Sequence, residues 1–321
     1  MLKTIIEAIL SHKKEHVQTF LSNRRLPFSF TKRRLFSELT KGLEEGKFVE
    51  TDLIDLLDDI EEFGNQHIYL YNCNPEYLKA LRNPTYIQTK LEENSLADLL
   101  NNKYRIFIPD NVELSQVIHD SKILKFKWVE RRIWKMPLEE RIEDDKYIET
   151  YQMNTTRGVT TFRIDLITGN AELMIQRLPT GTQYQKIKDD YLHKLSNIME
   201  IYSFQPTGLL RVIRFIEGSE EVDKRQINFE TISGGKVAFK SRSRGADFTD
   251  DTTLYSARTA LGQNVSGSLG NFYWKPNEVL ARSIHTHIYP RDDRVAIFGQ
   301  CVEREVNYVL SRIRYFASRQ S

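Results

Sequence analysis

The sequence predicts an α+β protein: an N-terminal helical bundle followed by a mixed body with a curved, largely antiparallel sheet. Three observations carry this. Apolar residues recur at helical spacing through residues 1–65, strand-like runs dominate residues 205–321, and 160–176 reads as a hairpin between them. The 321 residues are 40% hydrophobic and include 17 Phe, 15 Tyr and 3 Trp, enough for a sizeable core and too many for a disordered chain.

In the helical module, 1–65, Ile5, Ile6, Ile9 and Leu10 mark a first helix. A second begins after Pro27 near Thr31, carries Leu35, Phe36 and Leu39, and stops at Gly42. A third starts at Thr51, buries Leu53, Ile54, Leu56, Leu57 and Ile60, and ends at Gly64. In the α/β body, 66–204, strands are expected at 67–71, 104–108 and 126–134, with helices at 78–81, 91–100 and 183–199. In 126–134, Phe126 and Trp128 face one way while Lys127, Val129 and Arg131 face the other. The arms TTFRIDLI and AELMIQ flank a Thr168-Gly169-Asn170 turn, where Gly169 and Asn170 supply positive φ. In the β-rich region, 205–321, strands are expected at 209–216, 226–232, 236–241, 284–289 and 294–298, then a closing helix at 302–316. The glycine-rich 262–270 reads as an exposed loop.

Several function classes are excluded. No apolar run reaches the roughly 20 residues of a membrane-spanning helix. The first sixteen residues carry internal charges and no small-residue cleavage site, so they are not read as a secretory signal. Cys73 and Cys301 are too few for a disulfide framework or a cysteine zinc site. A reducing compartment is expected: cytoplasmic and nucleoid-associated, or nuclear, and not secreted. P-loop, dinucleotide-binding and nucleophile-elbow motifs are absent from the sequence, and no cofactor is called for.

The net charge of +2 hides segregation. Residues 1–41 hold nine Lys/Arg against three Glu, whereas 42–65 hold one Lys against nine acids. Lys32, Arg33 and Arg34 form the densest basic cluster, in the first turn of a helix where backbone N–H groups also favour phosphate. Their bland reading is three solvated charges; that of the bipolar module is mutual neutralisation by surface ion pairs. A second cluster, Lys125, Lys127, Arg131 and Arg132, alternates with Phe126 and Trp128, and a row of cations on a sheet face would track a sugar–phosphate backbone. Here the aromatic pair is read as core and the cations as its outer cover. Lys240, Arg242 and Arg244 alternate with serines, and Lys186 and Lys188 sit on the helix after the hairpin. Arginine in such settings suits bidentate phosphate contact.

Catalytic constellations are sparse. His285 and His287 form the one tight histidine pair, with Asp292 and Asp293 following, and two strand histidines are the plain alternative to a metal site. Asp165 sits on the kind of hairpin a carboxylate nuclease uses, but the next strand reads Glu172-Leu173-Met174 without the required lysine. Cys73 near His67 reads as packing and not as a nucleophile.

The order of the pieces resembles the centromere protein N (CENP-N/CENP-L) family. Phe28-Ser29-Phe30-Thr31-Lys32-Arg33-Arg34 leads through Glu44-Glu45 to a helix ending Glu62-Phe63-Gly64-Asn65-Gln66-His67. TTFRIDLITGNAEL precedes Asp190-Tyr191-Leu192-His193-Lys194-Leu195, and Lys236-Val237-Ala238-Phe239-Lys240-Ser241 precedes 294–312. The resemblance implies a pyrin-like helical module on an α/β body, and a non-enzymatic DNA-binding or adaptor role. Carried over by motif, it points to Lys32, Arg33 and Arg34 against the DNA backbone, and to Lys186 or Lys188, although Asp189 and Asp190 depart from the basic character expected there. In a host without a kinetochore, the same chemistry fits genome maintenance or anti-phage defence.

The expected function is therefore sequence-independent binding of double-stranded DNA through a basic groove shared by both parts, together with a protein partner or self-association. Two alternatives stay open: a metal-dependent nuclease using Asp165, His285 and His287, and an adaptor whose bipolar helical module stacks head to tail.

Overall fold

One antiparallel sheet organises the chain. The structure, a computed structural model, describes residues 2–12, 14–102, 107–178, 182–231, 234–241 and 266–319, with four positions between 252 and 260. Within these, the helical module comprises α1 (Leu2–Ser11), α2 (Lys14–Asn23), α3 (Lys32–Glu44) and α4 (Glu50–Phe63). It therefore has one helix more than the sequence predicts. Val17, Phe20 and Leu21 of α2 complete a core with Ile5, Ile9, Leu35, Leu39, Leu53 and Leu57. Helix α3 also runs past Gly42, so this glycine is not a stop. Its missing side chain makes room for Phe48, since a Cβ there would lie 2.4 Å from the ring.

Helix α4 passes directly into β1 (Gly64–Cys73), the central strand. Then follow α5 (Pro75–Leu81), α6 (Pro84–Glu93), β2 (Glu113–His119), β3 (Ile123–Glu143), β4 (Lys146–Asp165), β5 (Asn170–Gln176) and α7 (Tyr184–Ser196). The chain ends through β6 (Phe204–Pro206), α8 (Val212–Glu217), β7 (Val222–Glu230), β8 (Lys236–Lys240), β9 (Ser266–Trp274), β10 (Ile284–Tyr289), β11 (Arg294–Gln300) and α9 (Glu303–Ser318). The strand order is β2-β3-β4-β5-β1-β11-β10-β9-β7-β8, with β6 also on β1. The sheet is continuous across the body and the β-rich region, because β1 pairs with both β5 and β11.

Alternation along β1 divides the core. Tyr69, Tyr71 and Cys73 face α5, α6 and α7, joined by Phe126, Trp128, Phe162 and Leu173. Ile68 and Leu70 face α8 and α9, joined by Trp274, Ile288, Val295 and Ile297. The 160–176 hairpin forms as expected, turned by Gly169 at φ +78°, but Asn170 is not at positive φ and already begins β5. Several expectations fail. Residues 91–100 are not one helix, since α6 stops at Glu93 and only a short turn follows at Ala97–Leu99. Of the strand expected at 104–108, residues 104–106 lie outside the described residues and 107–108 are not strand. Residues 209–216 look like a strand from composition, but Val212, Ile213 and Ile216 are buried on one side of helix α8. The glycine-rich 262–270 is not wholly a loop, since 266–270 belong to β9; a Cβ on Gly267 or Gly270 would strike Ile213 or Phe272.

Beyond the sheet body, β3 and β4 continue alone among the described residues. Strand β2 leaves β3 at Val129 and β5 leaves β4 at Thr160, while β3 and β4 stay paired from Glu130↔Gly158 out to Glu143↔Lys146. This two-stranded arm projects about 43 Å at roughly 3.3 Å per residue. Asp144 and Asp145, both at positive φ, make its tight turn.

Candidate functional site

Helix α4 meets the sheet through charge. Its inner face carries Asp58, Glu61 and Glu62, which lie against Lys125 and Lys127 of β3 and Arg157 of β4. Lys125 Nζ sits 2.6 Å from Glu62 and 3.2 Å from Asp58. Lys127 Nζ touches Asp58 and lies 3.3 Å from Glu61 and 3.4 Å from Glu62. Arg157 Nε is 3.0 Å from Glu61. Lys127 is wholly buried and Lys125 is 6% exposed, so neither is available to a phosphate. This corrects the sequence reading: these cations are not an outer cover but the inner half of a six-charge cluster that fastens the module to the sheet. Burial drives the Asp58 carboxyl up, but Lys127 and Lys125 outweigh it and hold it at about 2. Burial wins for Glu62, whose pKa is raised despite the same lysines.

Beside this cluster a cleft of about 1050 Å³ opens between the module and the strand ends. The α1–α2 corner supplies His12, Lys14, Glu15 and His16, and the start of α3 supplies Lys32. The sheet supplies Arg132, Arg157, Gln176 and Arg177. Thr31 caps α3, its Oγ1 accepting from the Arg34 N–H at 3.4 Å, which fixes the basic turn at the cleft edge. Arg33 shares an adjoining groove with Lys32. Lys32, Arg33 and Arg34 are exposed and make no ion pair among the described residues. Neither do Lys14, which donates to the Phe30 carbonyl at 3.1 Å, or Arg177, whose guanidinium lies 5.3 Å from the Phe298 ring. Arg132 is held at 2.7 Å by Glu130 and donates to the Gln176 carbonyl. The potential is felt at His12: burial lowers its pKa, Glu61 opposes, and Lys32, Arg157 and Lys127 lower it further.

The remaining candidates lie elsewhere. Arg131 is paired with Asp110 at 2.8 Å. Lys186 is exposed on α7, and Lys188 pairs with Asp189 at 3.3 Å; neither lines the cleft. Lys240 is on the far edge strand β8, seven strand positions from β4, or roughly 34 Å at ~4.8 Å per strand. Arg242 and Arg244 lie outside the described residues. The single long track expected from the sequence is thus not formed. A shorter group lines the cleft, and it includes Lys14 and Arg177, which sequence reasoning missed, while Arg157 in the same wall is tied to Glu61. Lys14 carried a signal, being within the basic first 41 residues; the arginines carried none.

The metal reading is not supported. His285 and His287 share a face of β10 with ring centroids 4.9 Å apart, but Asp165 is four strands away and accepts from the Ile167 and Thr168 N–H groups of its own turn. Asp293 caps Leu209 and Asp292 pairs with Arg294. Among the described residues no group of three His, Cys, Asp or Glu is placed to hold a metal. Burial depresses both histidines to about 4; His287 is lowered further by His285, and His285 by Arg225. They are rungs of a ring ladder, with Tyr273 4.4 Å from His285 and Phe298 4.6 Å from His287. Cys73 is buried and its thiol is pushed up to about 11, the opposite of an activated nucleophile. No helix among the described residues is long and apolar enough to cross a membrane.

No protein-family model and no curated protein matches the chain.

Proposed function

We propose that the protein is a non-enzymatic binder of double-stranded DNA that grips the backbone in the cleft between helical module and sheet. The observation that supports this is the convergence of Lys14 and Lys32 with Arg177, more than 140 residues apart in sequence, on one opening with no ion pair of their own among the described residues. The resemblance to the centromere protein N family points the same way, because it too assigns Lys32, Arg33 and Arg34 to phosphate. The footprint is smaller than the sequence suggested. Five unpaired cations give a salt slope of about −4.5 in log K against log salt, at ~0.9 per neutralised phosphate. Contacts of this kind position a protein without reading sequence.

The test is fluorescence anisotropy on unrelated duplexes of equal length across a salt series. The triple change Lys32→Ala, Arg33→Ala, Arg34→Ala is expected to flatten the slope by about 2.7. Affinity should not depend on sequence. Absence of binding at low salt, or a slope that the triple variant leaves unchanged, refutes the reading.

The head-to-tail adaptor reading loses part of its acidic half, although Glu44, Glu45, Asp55 and Asp59 stay exposed. Asp58, Glu61 and Glu62 are turned into the protein, and Asp52 is held by Arg24 at 3.0 Å. Self-association is better argued from another element.

A further inference from the structure

The β3–β4 arm is built unlike the rest of the surface. Seven of the sixteen large hydrophobic side chains exposed among the described residues fall within 131–157. They are not scattered. Residues paired across a ladder share a face, as do residues two apart along a strand. The pairs Ile133↔Thr155, Lys135↔Met153, Pro137↔Tyr151 and Ile142↔Tyr147 therefore place Ile133, Pro137, Ile142, Tyr147, Tyr151 and Met153 on one side, interrupted by Lys135 and by the Glu140↔Glu149 pair. Ile142 is 77% exposed and Tyr147 61%. A two-stranded ribbon with an uncovered apolar face is marginal in water, and three strands or a packed layer are the usual remedy.

The arm ends in the opposite charge to the cleft at its root. Residues 138–149 hold six acids against Arg141 and Lys146. Arg141 is shared between Glu139 and Glu143, leaving Glu140, Asp144 and Asp145 with no ion pair among the described residues. At the root, Arg132, Ile133, Thr156 and Arg157 belong both to the arm and to the cleft wall. The arm leads its acidic tip about 43 Å away from its own cleft, at ~3.3 Å per residue. It cannot reach home without breaking the ladder.

We propose that two copies of this chain pair through their arms, stripe against stripe and antiparallel, each acidic tip entering the other copy's basic cleft. The lengths close without adjustment: in an antiparallel pair of equal arms, each tip falls at the partner's root, and the root is the cleft. The contact is isologous, with a two-fold axis across mid-arm, so it ends at a dimer. Apolar area covers the ribbon, and charge sets the register. The inference does not rest on duplex binding, since it needs only the charge of the cleft; a duplex would compete with the tip for the same cations and open the dimer.

The experiment is light scattering on the full chain across a concentration series at low and high salt, without nucleic acid. The expected mass is twice 37.7 kDa at low salt, with at least tenfold weaker association at high salt. Ile142→Asp with Tyr147→Asp should give a monomer. Asp144→Asn with Asp145→Gly removes two of the six tip acids while keeping the most favoured turn for these φ values, and should weaken the dimer severalfold and reduce its salt dependence. Both pairs are exposed, so an unchanged thermal midpoint of the monomer reports an intact fold. In an independent arm, Asp145→Cys and Lys14→Cys are made in separate copies, mixed and treated with a bismaleimide; the native Cys73 and Cys301 are buried. A heterodimeric cross-link is expected from the mixture and a much weaker one from either variant alone. A monomer at every concentration at low salt, a dimer indifferent to both arm variants, or no preference for the mixed cross-link overturns the proposal.

Discussion

Replacing Lys127 by methionine tests whether the buried charge cluster holds the helical module in place. The substitution keeps the length and apolar body of the side chain and removes only the charge. Lys127 Nζ contacts Asp58, Glu61 and Glu62 with no solvent access, so its loss leaves three carboxylates facing only Lys125 and Arg157. Breaking a buried pair from one side costs about 3–5 kcal/mol. The two surviving cations hold the value near the lower end, about 3 kcal/mol. That is a large fraction of the ~5–15 kcal/mol typical of a folded domain. Urea unfolding followed by circular dichroism reads it. The pH dependence has a definite sign. Glu62 already has a raised pKa, and a group raised in the folded state loses stability as pH rises through that value. The variant should therefore be penalised less at pH 5 than at pH 8. Adding Glu62→Gln to Lys127→Met removes the excess charge and should restore more than half of the loss, a coupling visible in a double-mutant cycle. A single variant within about 1 kcal/mol of wild type, or a double variant no better than the single one, would refute the reasoning.

Three further outcomes are expected. His67, His285 and His287 are held neutral, with burial lowering His67 to about 3 and the other two to about 4. The unfolded chain binds protons first, so stability present above pH 6.5 falls as pH drops toward 4; His67 alone costs about 2 kcal/mol at pH 5, seen in the urea midpoint. His67→Gln should flatten that fall. Gly42→Ala gains about 1 kcal/mol of helix propensity but drives a Cβ to 2.4 Å from Phe48, so a net loss of about 1 kcal/mol is expected, and Phe48→Leu should reverse it. Arg177→Ala, at the far wall of the cleft from Lys32, should weaken duplex binding and flatten its salt slope by about 0.9 without moving the thermal midpoint.

Much of the fold was legible in the sequence because it rests on local periodicity. The α3 and α4 stripes, the Gly169 hairpin and the alternation that puts Phe126 and Trp128 in the core all depend on neighbours a few residues away. Helix α2 was missed because charged residues, Lys14, Glu15 and His16, dilute its short apolar stripe of Val17, Phe20 and Leu21. The 209–216 segment misled because a short apolar run has no period of its own.

The site depended on distance in space, which composition does not encode. A lysine between aromatic residues looks the same in sequence whether it meets water or a carboxylate. Lys125 and Lys127 were decided by α4, some 65 residues upstream, whose acids needed a counter-charge once buried. The chain alone thus determined most of the helices and strands that carry a clear period, and which of their sides are apolar. Only tertiary structure decided which cations are spent inside the protein and which converge, because an ion's role is set by its nearest opposite charge and by the water it keeps.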